Sequence, residues 1–347
     1  MQEKNITFHR RLIIPQELKE MFPLTAELEQ LKAERDEIVK NIITGKDDRL
    51  LLIIGPCSAD REDAVLDYMT RLAKIQEKVI NSVFIVPRVY TNKPRTVGKG
   101  YKGILHQPDP DKAPDLLQGI IVIREMNIRI IRETGFTCAD ELLYPEVYRF
   151  TSDLLSYVAV GARSTEDQEH RMLASGLDIP VGLKNPTSGN LTVMLNSVTA
   201  AQTPQDFIYR NWAVSTAGNP LAHTILRGYE NNSGHVFPNY HYETLVELSQ
   251  LYEARGLQNP AVIIDCNHAN SGKQYVEQIR IAQDIMHSRR WNEGLRRLVR
   301  GLMVESYLKD GNQPEGGHCY GQSITDPCLG WEKTELLIYN LAENWSR

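Results

Sequence analysis

The fold is decided by the stretch Leu50-Leu-Leu-Ile-Ile-Gly-Pro-Cys-Ser58, which begins with five aliphatic residues in a row. Strands of a parallel sheet are covered on both faces and therefore need such a continuous apolar run. The Gly-Pro pair then breaks the strand, so Cys57 is expected just beyond its carboxyl end. The stretch predicts the first strand of a parallel sheet, with a chemically active side chain at its exit.

The same plan recurs along the chain. Eight apolar runs predict strands at 50–57, 83–89, 136–142, 157–163, 180–184, 223–227, 261–267 and 298–305. Apolar residues three and four positions apart predict helices between them, at 60–79, 115–134, 168–177, 242–255 and 274–289. Eight alternations without a long linker favour a closed (β/α)8 TIM barrel of the α/β class, although counting alone leaves an open, doubly wound sheet as the alternative.

Two segments lie outside this alternation. Residues 1–47 are a predicted N-terminal extension, in which Thr25 caps one amphipathic helix that ends at Gly45. The apolar stripe of that helix needs a partner surface in this subunit or in another one. A β-hairpin is predicted at 207–215, inserted before the sixth barrel strand. The expected organisation is an extension at 1–47 followed by a catalytic barrel domain at 48–347.

Composition excludes several classes of function. The 39 Lys and Arg residues stand against 44 Asp and Glu residues, and a net charge of −5 offers no general attraction for nucleic acid or anionic lipid. No apolar run approaches the roughly 18 residues of a membrane span. Five widely spaced cysteines, with no apolar targeting run at the start, favour a cytoplasmic location with reduced thiols.

The exits of the eight predicted strands are unusually polar. Each exit carries a charged or metal-binding side chain, in chain order Cys57, Arg88, Glu141, Arg163, Lys184, Arg227, His268 and Glu305. A single charged exit is often only a solvated strand end, and a single cysteine is usually a small core residue. Eight such exits on one barrel meet at the carboxyl face, where barrel active sites lie. We therefore expect one joint site there.

Four of these exits are cations, namely Arg88, Arg163, Lys184 and Arg227. Cations gathered at one mouth repel each other unless an anion with several charges lies among them. Arginine forks suit bidentate binding of either a phosphate or a carboxylate, and lysine adds a point charge. The pattern thus predicts a substrate with both groups, such as phosphoenolpyruvate.

A second set of exits offers metal ligands. Cys57, His268 and Glu305 are joined by Asp326, which lies in a loop near the C-terminus. A mixed set of sulfur, nitrogen and oxygen donors suits a divalent first-row ion, here Mn, Fe, Co or Zn, and suits Mg or Ca poorly. The alternative for His268 is a satisfied polar residue in a turn, whereas an unpaired Glu305 at the end of an apolar strand is costly to bury.

Seven short motifs, in order along the chain, resemble the type I 3-deoxy-D-arabino-heptulosonate-7-phosphate (DAHP) synthases. They are Ile54-Gly-Pro-Cys-Ser58, Lys93-Pro-Arg-Thr96, Val160-Gly-Ala-Arg163, Asp265-Cys-Asn-His-Ala-Asn-Ser271, Met303-Val-Glu-Ser306, Gly311-Asn-Gln313 and Ser323-Ile-Thr-Asp326. The similarity runs from about residue 47 to the C-terminus. It implies a (β/α)8 barrel that condenses phosphoenolpyruvate with erythrose 4-phosphate, the first step of the shikimate pathway.

The resemblance also assigns residues to roles. It implies a divalent metal held by Cys57, His268, Glu305 and Asp326. It implies phosphoenolpyruvate bound by Arg88, Lys93, Arg163, Lys184 and Arg227, with help from Glu141, Gly161 and Ala162. It implies erythrose 4-phosphate bound by Pro94, Arg95 and Thr96.

Catalysis is expected to depend on Cys57, His268 and Lys93. Lys93 is a candidate general acid for the new hydroxyl group, and a plain anion anchor is the alternative. We expect a homodimer or homotetramer, and the resemblance implies an aromatic amino acid as effector.

Two rival functions remain open at this point. A 3-deoxy-octulosonate-8-phosphate synthase shares the barrel and the phosphoenolpyruvate chemistry but uses a longer aldose, and Lys93-Pro-Arg-Thr96 favours the four-carbon sugar. A catalytically silent regulatory homologue is the second rival. The sequence argues against this second rival, because it retains all four candidate metal ligands and a cluster of cations that repel each other without a bound anion.

Overall fold

A computed structural model describes residues 4–95, 98–109, 111–231 and 233–345. Its strands are β1 (Leu50–Gly55), β2 (Val83–Pro87), β3 (Cys138–Glu141), β4 (Leu155–Val160), β5 (Val181–Lys184), β6 (Asp206–Tyr209), β7 (Trp212–Ser215), β8 (Ala222–Leu226), β9 (Tyr229–Glu230), β10 (Val236–Phe237), β11 (Val262–Asp265) and β12 (Val299–Glu305). Its helices are α1 (Pro15–Met21), α2 (Ala26–Thr44), α3 (Glu62–Val79), α4 (Leu116–Thr134), α5 (Pro145–Tyr148), α6 (Gln168–Ser175), α7 (Leu191–Gln202), α8 (Tyr242–Arg255), α9 (Glu277–Trp291), α10 (Glu293–Leu298) and α11 (Trp331–Trp345).

Eight parallel strands form the central sheet, in the order β2-β1-β12-β11-β8-β5-β4-β3. A parallel bridge between Arg88 and Ala139 brings the two ends of this order together, and Val89 donates a backbone hydrogen bond to the Ala139 carbonyl at 2.9 Å. The sheet therefore closes, and the predicted (β/α)8 barrel is confirmed.

Strand β1 shows why its sequence is apolar at every position. Leu52 and Ile54 belong to the layer between the strands and the surrounding helices, whereas Leu51 and Ile53 belong to the barrel interior. All four side chains are fully buried. A strand covered on both faces cannot alternate apolar with polar residues, so the continuous run is a direct consequence of the closed barrel.

Helix α2 covers the amino-terminal end of the barrel. Thr25 caps the helix by accepting a hydrogen bond from the Leu28 backbone, and Gly45 ends it in the left-handed conformation. Its Val39 and Ile42 are fully buried in the cluster that fills the barrel interior. The apolar stripe of this helix thus finds its partner surface within the same subunit.

The inserted hairpin is present as predicted, and a second, shorter one follows it. Strands β6 and β7 pair antiparallel, and the turn residues Arg210 and Asn211 both have positive φ, as a two-residue hairpin turn requires. Strands β9 and β10 form a second antiparallel pair at the carboxyl face, and each is only two residues long, too short for an apolar pattern to predict it. Among the described residues, no helix combines the length and the apolar character that a bilayer crossing needs.

His223 in β8 gives the fold a specific sensitivity to acid. The buried ring contacts the Leu221 carbonyl through Nδ1 and the Tyr157 hydroxyl through Nε2, both at 2.8 Å. The carbonyl can only accept, so Nδ1 donates and Nε2 accepts from Tyr157 in a neutral ring. Burial lowers the pKa of His223 to about 4, from an ordinary value of 6.5.

We expect His223 to destabilise the fold as the pH falls from about 6.5 to about 4, because the unfolded chain takes up its proton first. The shift in pKa corresponds to about 3 kcal/mol of unfolding free energy. This stabilisation is fully present above about pH 6.5 and is lost as the pH falls toward about 4. Urea unfolding across this range should show a weaker pH dependence for His223→Gln than for the unchanged chain. An equal pH dependence of the unfolding free energy in His223→Gln and in the unchanged chain would contradict the prediction. His287→Gln, which changes an exposed histidine, is the control.

Candidate active site

A pocket of about 290 Å³ lies at the carboxyl end of the barrel strands. Its lining contains eight basic side chains, Arg88, Lys93, Arg95, Lys99, Arg163, Lys184, Arg227 and Lys273. Its other lining residues are Cys57, Pro94, Glu141, Gly161, Ala162, His268 and Asp326. The excess of cations over carboxylates makes the pocket a site for anionic ligands, although the chain as a whole is acidic.

Seven of the eight side chains predicted at the strand exits line this pocket, and the eighth, Glu305, is buried next to Arg88. Several of them lie beyond the strand itself. Glu141 and Lys184 are the last residues of their strands. Arg163 and His268 each follow their strand by three residues, Arg163 in a turn and His268 at the start of a short 3-10 helix. The loops after the strands therefore bring the set together, as in other barrels.

Three of the four predicted metal ligands form one cluster. The ligand atoms of Cys57, Glu305 and Asp326 all lie within 4.8 Å of one another. The Cys57 Sγ and Asp326 Oδ2 atoms are 3.5 Å apart, and Cys57 and Glu305 are completely buried. Burial, assisted by the nearby Glu305 carboxylate, raises the pKa of the Cys57 thiol. The cluster therefore brings one sulfur and two carboxylate groups close enough to share a single metal ion.

His268, the fourth predicted ligand, lies next to this cluster. Its Nε2 atom is 3.7 Å from Glu305 Oε1, and its Nδ1 atom is 2.8 Å from Asp265 Oδ2, without the alignment of a hydrogen bond. Burial lowers the pKa of His268, which favours the neutral ring that a metal ligand requires. Asp265 contacts the Nδ1 side of the ring and leaves Nε2 facing the cluster.

The donors fit a divalent transition metal. Glu305 Oε1 is buried and accepts no well-aligned hydrogen bond from the described residues, although Arg88 Nη2 lies 2.8 Å away. Burial opposes ionisation of Glu305, but Arg88 and His268 hold its pKa below the usual range, so the group is a carboxylate. An ionised oxygen with free acceptor capacity, beside a thiol and an imidazole, is a donor set for a borderline-soft cation.

Lys93 connects the cluster to the rest of the pocket. Its Nζ atom lies 2.8 Å from both Cys57 Sγ and Asp326 Oδ2. Burial acts against its charge, but the thiol and the carboxylates around it raise the pKa of Lys93 above its ordinary value. The ammonium group therefore stays charged beside Cys57 and Asp326, and its predicted role as a general acid stays a prediction.

The four predicted anion-binding cations fall into two pairs. Arg88 forms an ion pair with Glu305 at 2.8 Å, and Lys184 forms one with Asp265 at 3.3 Å. Arg163 and Arg227 form no ion pair with any residue in the described ranges. Burial and the neighbouring Arg163 lower the pKa of Arg227. The two free guanidinium groups are therefore where the pocket most needs an external anion.

Glu141 and the 160–163 motif form one wall of the pocket. A Cβ atom at Gly161 would lie 2.3 Å from Glu141 Oε1, so only glycine permits this approach. Gly161 and Ala162 both line the pocket beside Arg163. The predicted role of this wall in holding the substrate stays a prediction.

The predicted sugar-phosphate motif forms the rim. Pro94 and Arg95 line the pocket, and Arg95 Nε donates to the Tyr101 carbonyl at 2.8 Å. A Glu315 oxygen lies 3.5 Å from Arg95 Nη2. Thr96 lies outside the described residues, so its predicted contact is not located. The described part of the motif places one guanidinium at the entrance, away from the buried cluster.

A family model for the DAHP synthetase I family matches residues 23–338. The chain belongs to the DAHP synthetase I family. The resemblance noted from the sequence motifs is therefore confirmed, and the match covers all of α2 and the barrel as far as the middle of α11.

Curated and solved relatives agree with this family. The Tyr-sensitive phospho-2-dehydro-3-deoxyheptonate aldolase of Salmonella typhimurium is 36% identical over 98% of this chain and 95% of its own length. The Phe-sensitive enzyme of Escherichia coli K12 is 38% identical, over 96% of this chain and 94% of its own. The structure of the Francisella tularensis SCHU S4 phospho-2-dehydro-3-deoxyheptonate aldolase superposes with a TM-score of 0.91 at 33% identity, covering 99% of both chains.

Three residues of this DAHP synthetase I site were not assigned roles from the sequence. Asp265 is fully buried beneath Lys184 and His268, and a charged residue ending an apolar strand could have signalled it. Lys273 lies 3.1 Å from Asp326 Oδ1, and Lys99 lines the rim. Both are surface-loop lysines, which the sequence does not distinguish from ordinary solvated ones.

Proposed function

We propose that this chain condenses phosphoenolpyruvate with erythrose 4-phosphate and water to give DAHP and inorganic phosphate, the reaction of the DAHP synthetase I family. The observation that carries the proposal is one pocket in which a thiol–carboxylate cluster adjoins two unpaired arginines. Such a pocket offers a Lewis-acid site beside a receptor for a doubly anionic substrate.

The metal would be held by Cys57, His268, Glu305 and Asp326. A bound divalent ion supplies Lewis-acid polarisation of an aldehyde oxygen. Mn, Fe, Co and Zn all suit this set of donors, and the donors do not choose among them. Asp265 would orient the His268 ring through its contact with Nδ1.

Phosphoenolpyruvate would lie against Arg163 and Arg227, whose guanidinium groups lack carboxylate partners among the described residues. Lys184 and Arg88 add positive charge from the floor, and Glu141, Gly161 and Ala162 form the adjoining wall. The phosphate and the carboxylate can each take a guanidinium fork. Fixing both anionic groups directs the methylene carbon of the substrate toward the aldehyde.

Erythrose 4-phosphate would enter at the rim, with its phosphate near Pro94, Arg95 and Thr96 and its aldehyde near Lys93. The methylene carbon of phosphoenolpyruvate forms the new carbon–carbon bond, and the aldehyde oxygen takes a proton from Lys93 to become a hydroxyl. Water adds to the enol carbon and gives up one proton, which restores the Lys93 ammonium group. The resulting hemiketal phosphate collapses to the ketone as phosphate leaves by C–O cleavage and carries the remaining hydroxyl proton away. The cations that bound the phosphate stabilise its departure.

An assay of phosphate release with two aldoses tests the proposal. We expect release from phosphoenolpyruvate with erythrose 4-phosphate, loss of it after chelation and recovery with a divalent transition metal. Arabinose 5-phosphate should be a poor substrate, because the pocket is expected to fit the four-carbon sugar. Preference for the longer aldose would support the octulosonate alternative, and no turnover with any of the four metals would support a silent homologue.

We further propose that the chain forms a homodimer or homotetramer in the cytoplasm and responds to an aromatic amino acid. The effector proposal rests on the Tyr-sensitive and Phe-sensitive relatives. Phosphate-release rates with each aromatic amino acid added in turn identify the effector.

The division into an extension at 1–47 and a barrel domain at 48–347 also stays a proposal. Residues of α2, which lies in the extension, pack in the same cluster as the residues of the barrel interior, so the two parts share one core.

A further inference from the structure

No ion pair and no side-chain hydrogen bond with the described residues fixes the Arg227 side chain. Asp265 attracts its guanidinium group and Arg163 repels it, both without direct contact. Its neighbours Arg88 and Lys184, by contrast, are fixed by Glu305 and Asp265. The direction in which Arg227 enters the pocket is therefore set by its backbone.

That backbone is held by two buried asparagines from other loops. Asn185 Oδ1 accepts a hydrogen bond from the Arg227 N–H at 2.9 Å, and Asn185 Nδ2 donates to the Gly228 carbonyl at 3.0 Å. Asn239 Oδ1 accepts from the Gly228 N–H at 2.7 Å. The two amides also contact each other, since Asn239 Nδ2 donates to Asn185 Oδ1 at 3.1 Å.

A third asparagine holds the same turn from the opposite side. Asn270 Nδ2 donates to the Leu226 carbonyl at 3.2 Å, and the Asn270 N–H donates to the Arg227 carbonyl at 3.2 Å. Asn270 Oδ1 accepts from the Asn239 N–H at 2.8 Å. Gly228 adopts a φ of 70°, and a Cβ atom there would lie 2.6 Å from the Asn270 nitrogen. The turn is therefore closely packed and leaves no room for another residue at Gly228.

We propose that Asn185, Asn239 and Asn270, here called the asparagine cluster, are positioning residues that aim Arg227 at phosphoenolpyruvate. All three are at most 4% exposed, so their hydrogen bonds do not compete with water. The cluster joins the loops after β5, β8 and β11 to the segment after β10. The inference rests on the proposed function, in which Arg227 binds the substrate.

Asn239 is the best member to change, because Asn185 adjoins Lys184 in the chain and Asn270 lies two residues from His268. Asn239→Ala leaves the buried Gly228 N–H without its acceptor. We expect the Kd for phosphoenolpyruvate, measured by calorimetry on the full chain, to rise about tenfold. The KM for erythrose 4-phosphate and the metal content should not change. Asn231→Ala, at an exposed site in the β9–β10 turn, is the matched control and should leave the Kd unchanged.

A double-mutant cycle with Arg227→Ala separates positioning from general structural damage. If Asn239 acts through Arg227, Asn239→Ala should change the Kd by less than about twofold once Arg227 is absent. An equal effect in both backgrounds, or none in either, overturns the inference alone. An unchanged Kd in Arg227→Ala itself overturns the substrate-binding role of Arg227 and the inference with it. If Asn239→Ala does not fold, Asn239→Ser replaces it in the cycle, because its shorter side chain keeps a polar group in the buried turn but does not reach the Gly228 N–H as Asn239 Oδ1 does, and the same outcomes apply.

Discussion

Replacing Lys93 with methionine is expected to lower kcat by about a thousandfold, the typical contribution of a positioned general acid. Methionine has a similar length but no proton to donate. The Lys93 Nζ atom lies 2.8 Å from both Cys57 Sγ and Asp326 Oδ2, so its direct partners belong to the predicted metal site. The Kd for phosphoenolpyruvate, measured by calorimetry, should therefore change by less than about threefold.

Lys99→Met is the matched control, because it removes the same charge from the rim of the same pocket. It is expected to raise the KM of a phosphorylated substrate while leaving kcat within about threefold of the unchanged chain. Unchanged turnover in Lys93→Met would refute the acid role. A large rise in the Kd for phosphoenolpyruvate, with kcat preserved, would identify Lys93 as an anion anchor instead.

Replacing Cys57 with alanine is expected to remove the metal and, with it, about a thousandfold or more of the turnover rate. Lewis-acid stabilisation is worth several kcal/mol, which corresponds to a rate effect of about this size. The thiol is fully buried and is the soft donor of the predicted ligand set, so the remaining nitrogen and oxygen donors hold a transition metal less tightly. Metal content after dialysis and phosphate release should fall together.

Cys319→Ala provides the control, since this cysteine is exposed and does not line the pocket. It should keep both metal and turnover. Unfolding midpoints of both variants in the absence of metal separate loss of the ligand from loss of the fold. A Cys57→Ala chain that binds the metal with unchanged affinity would show that the thiol is not a ligand.

The sequence predicts the barrel well because the burial of its strands is visible in their composition. Strand β1, with apolar residues on both faces, begins at Leu50 as expected. Strand β3 is shorter than its apolar run, Cys138–Glu141 against 136–142, because backbone pairing rather than hydrophobicity sets a strand end. Helix α7 was not assigned, since Leu191–Gln202 is rich in threonine and valine, and the packing of the barrel overrides those preferences.

The sequence predicts which residues form the site, but not which of them form ion pairs with each other. The sequence places cations at the strand exits, yet it cannot show that Glu305 neutralises Arg88 or that Asp265 neutralises Lys184. Those carboxylates come from strands far away in the chain, and their direction depends on register and on the closing of the sheet. The asparagine cluster is missed for the same reason, because single asparagines in loops carry no signal of their own.

Anomalous X-ray scattering from crystals grown with Mn²⁺ and phosphoenolpyruvate tests most directly whether a metal site and an anion site share this pocket. We expect one anomalous peak within about 2.5 Å of Cys57 Sγ and in contact with His268, Glu305 and Asp326. We also expect phosphoenolpyruvate between Arg163 and Arg227 in the same pocket. A metal peak at another place, or a substrate bound away from these two arginines, would contradict it.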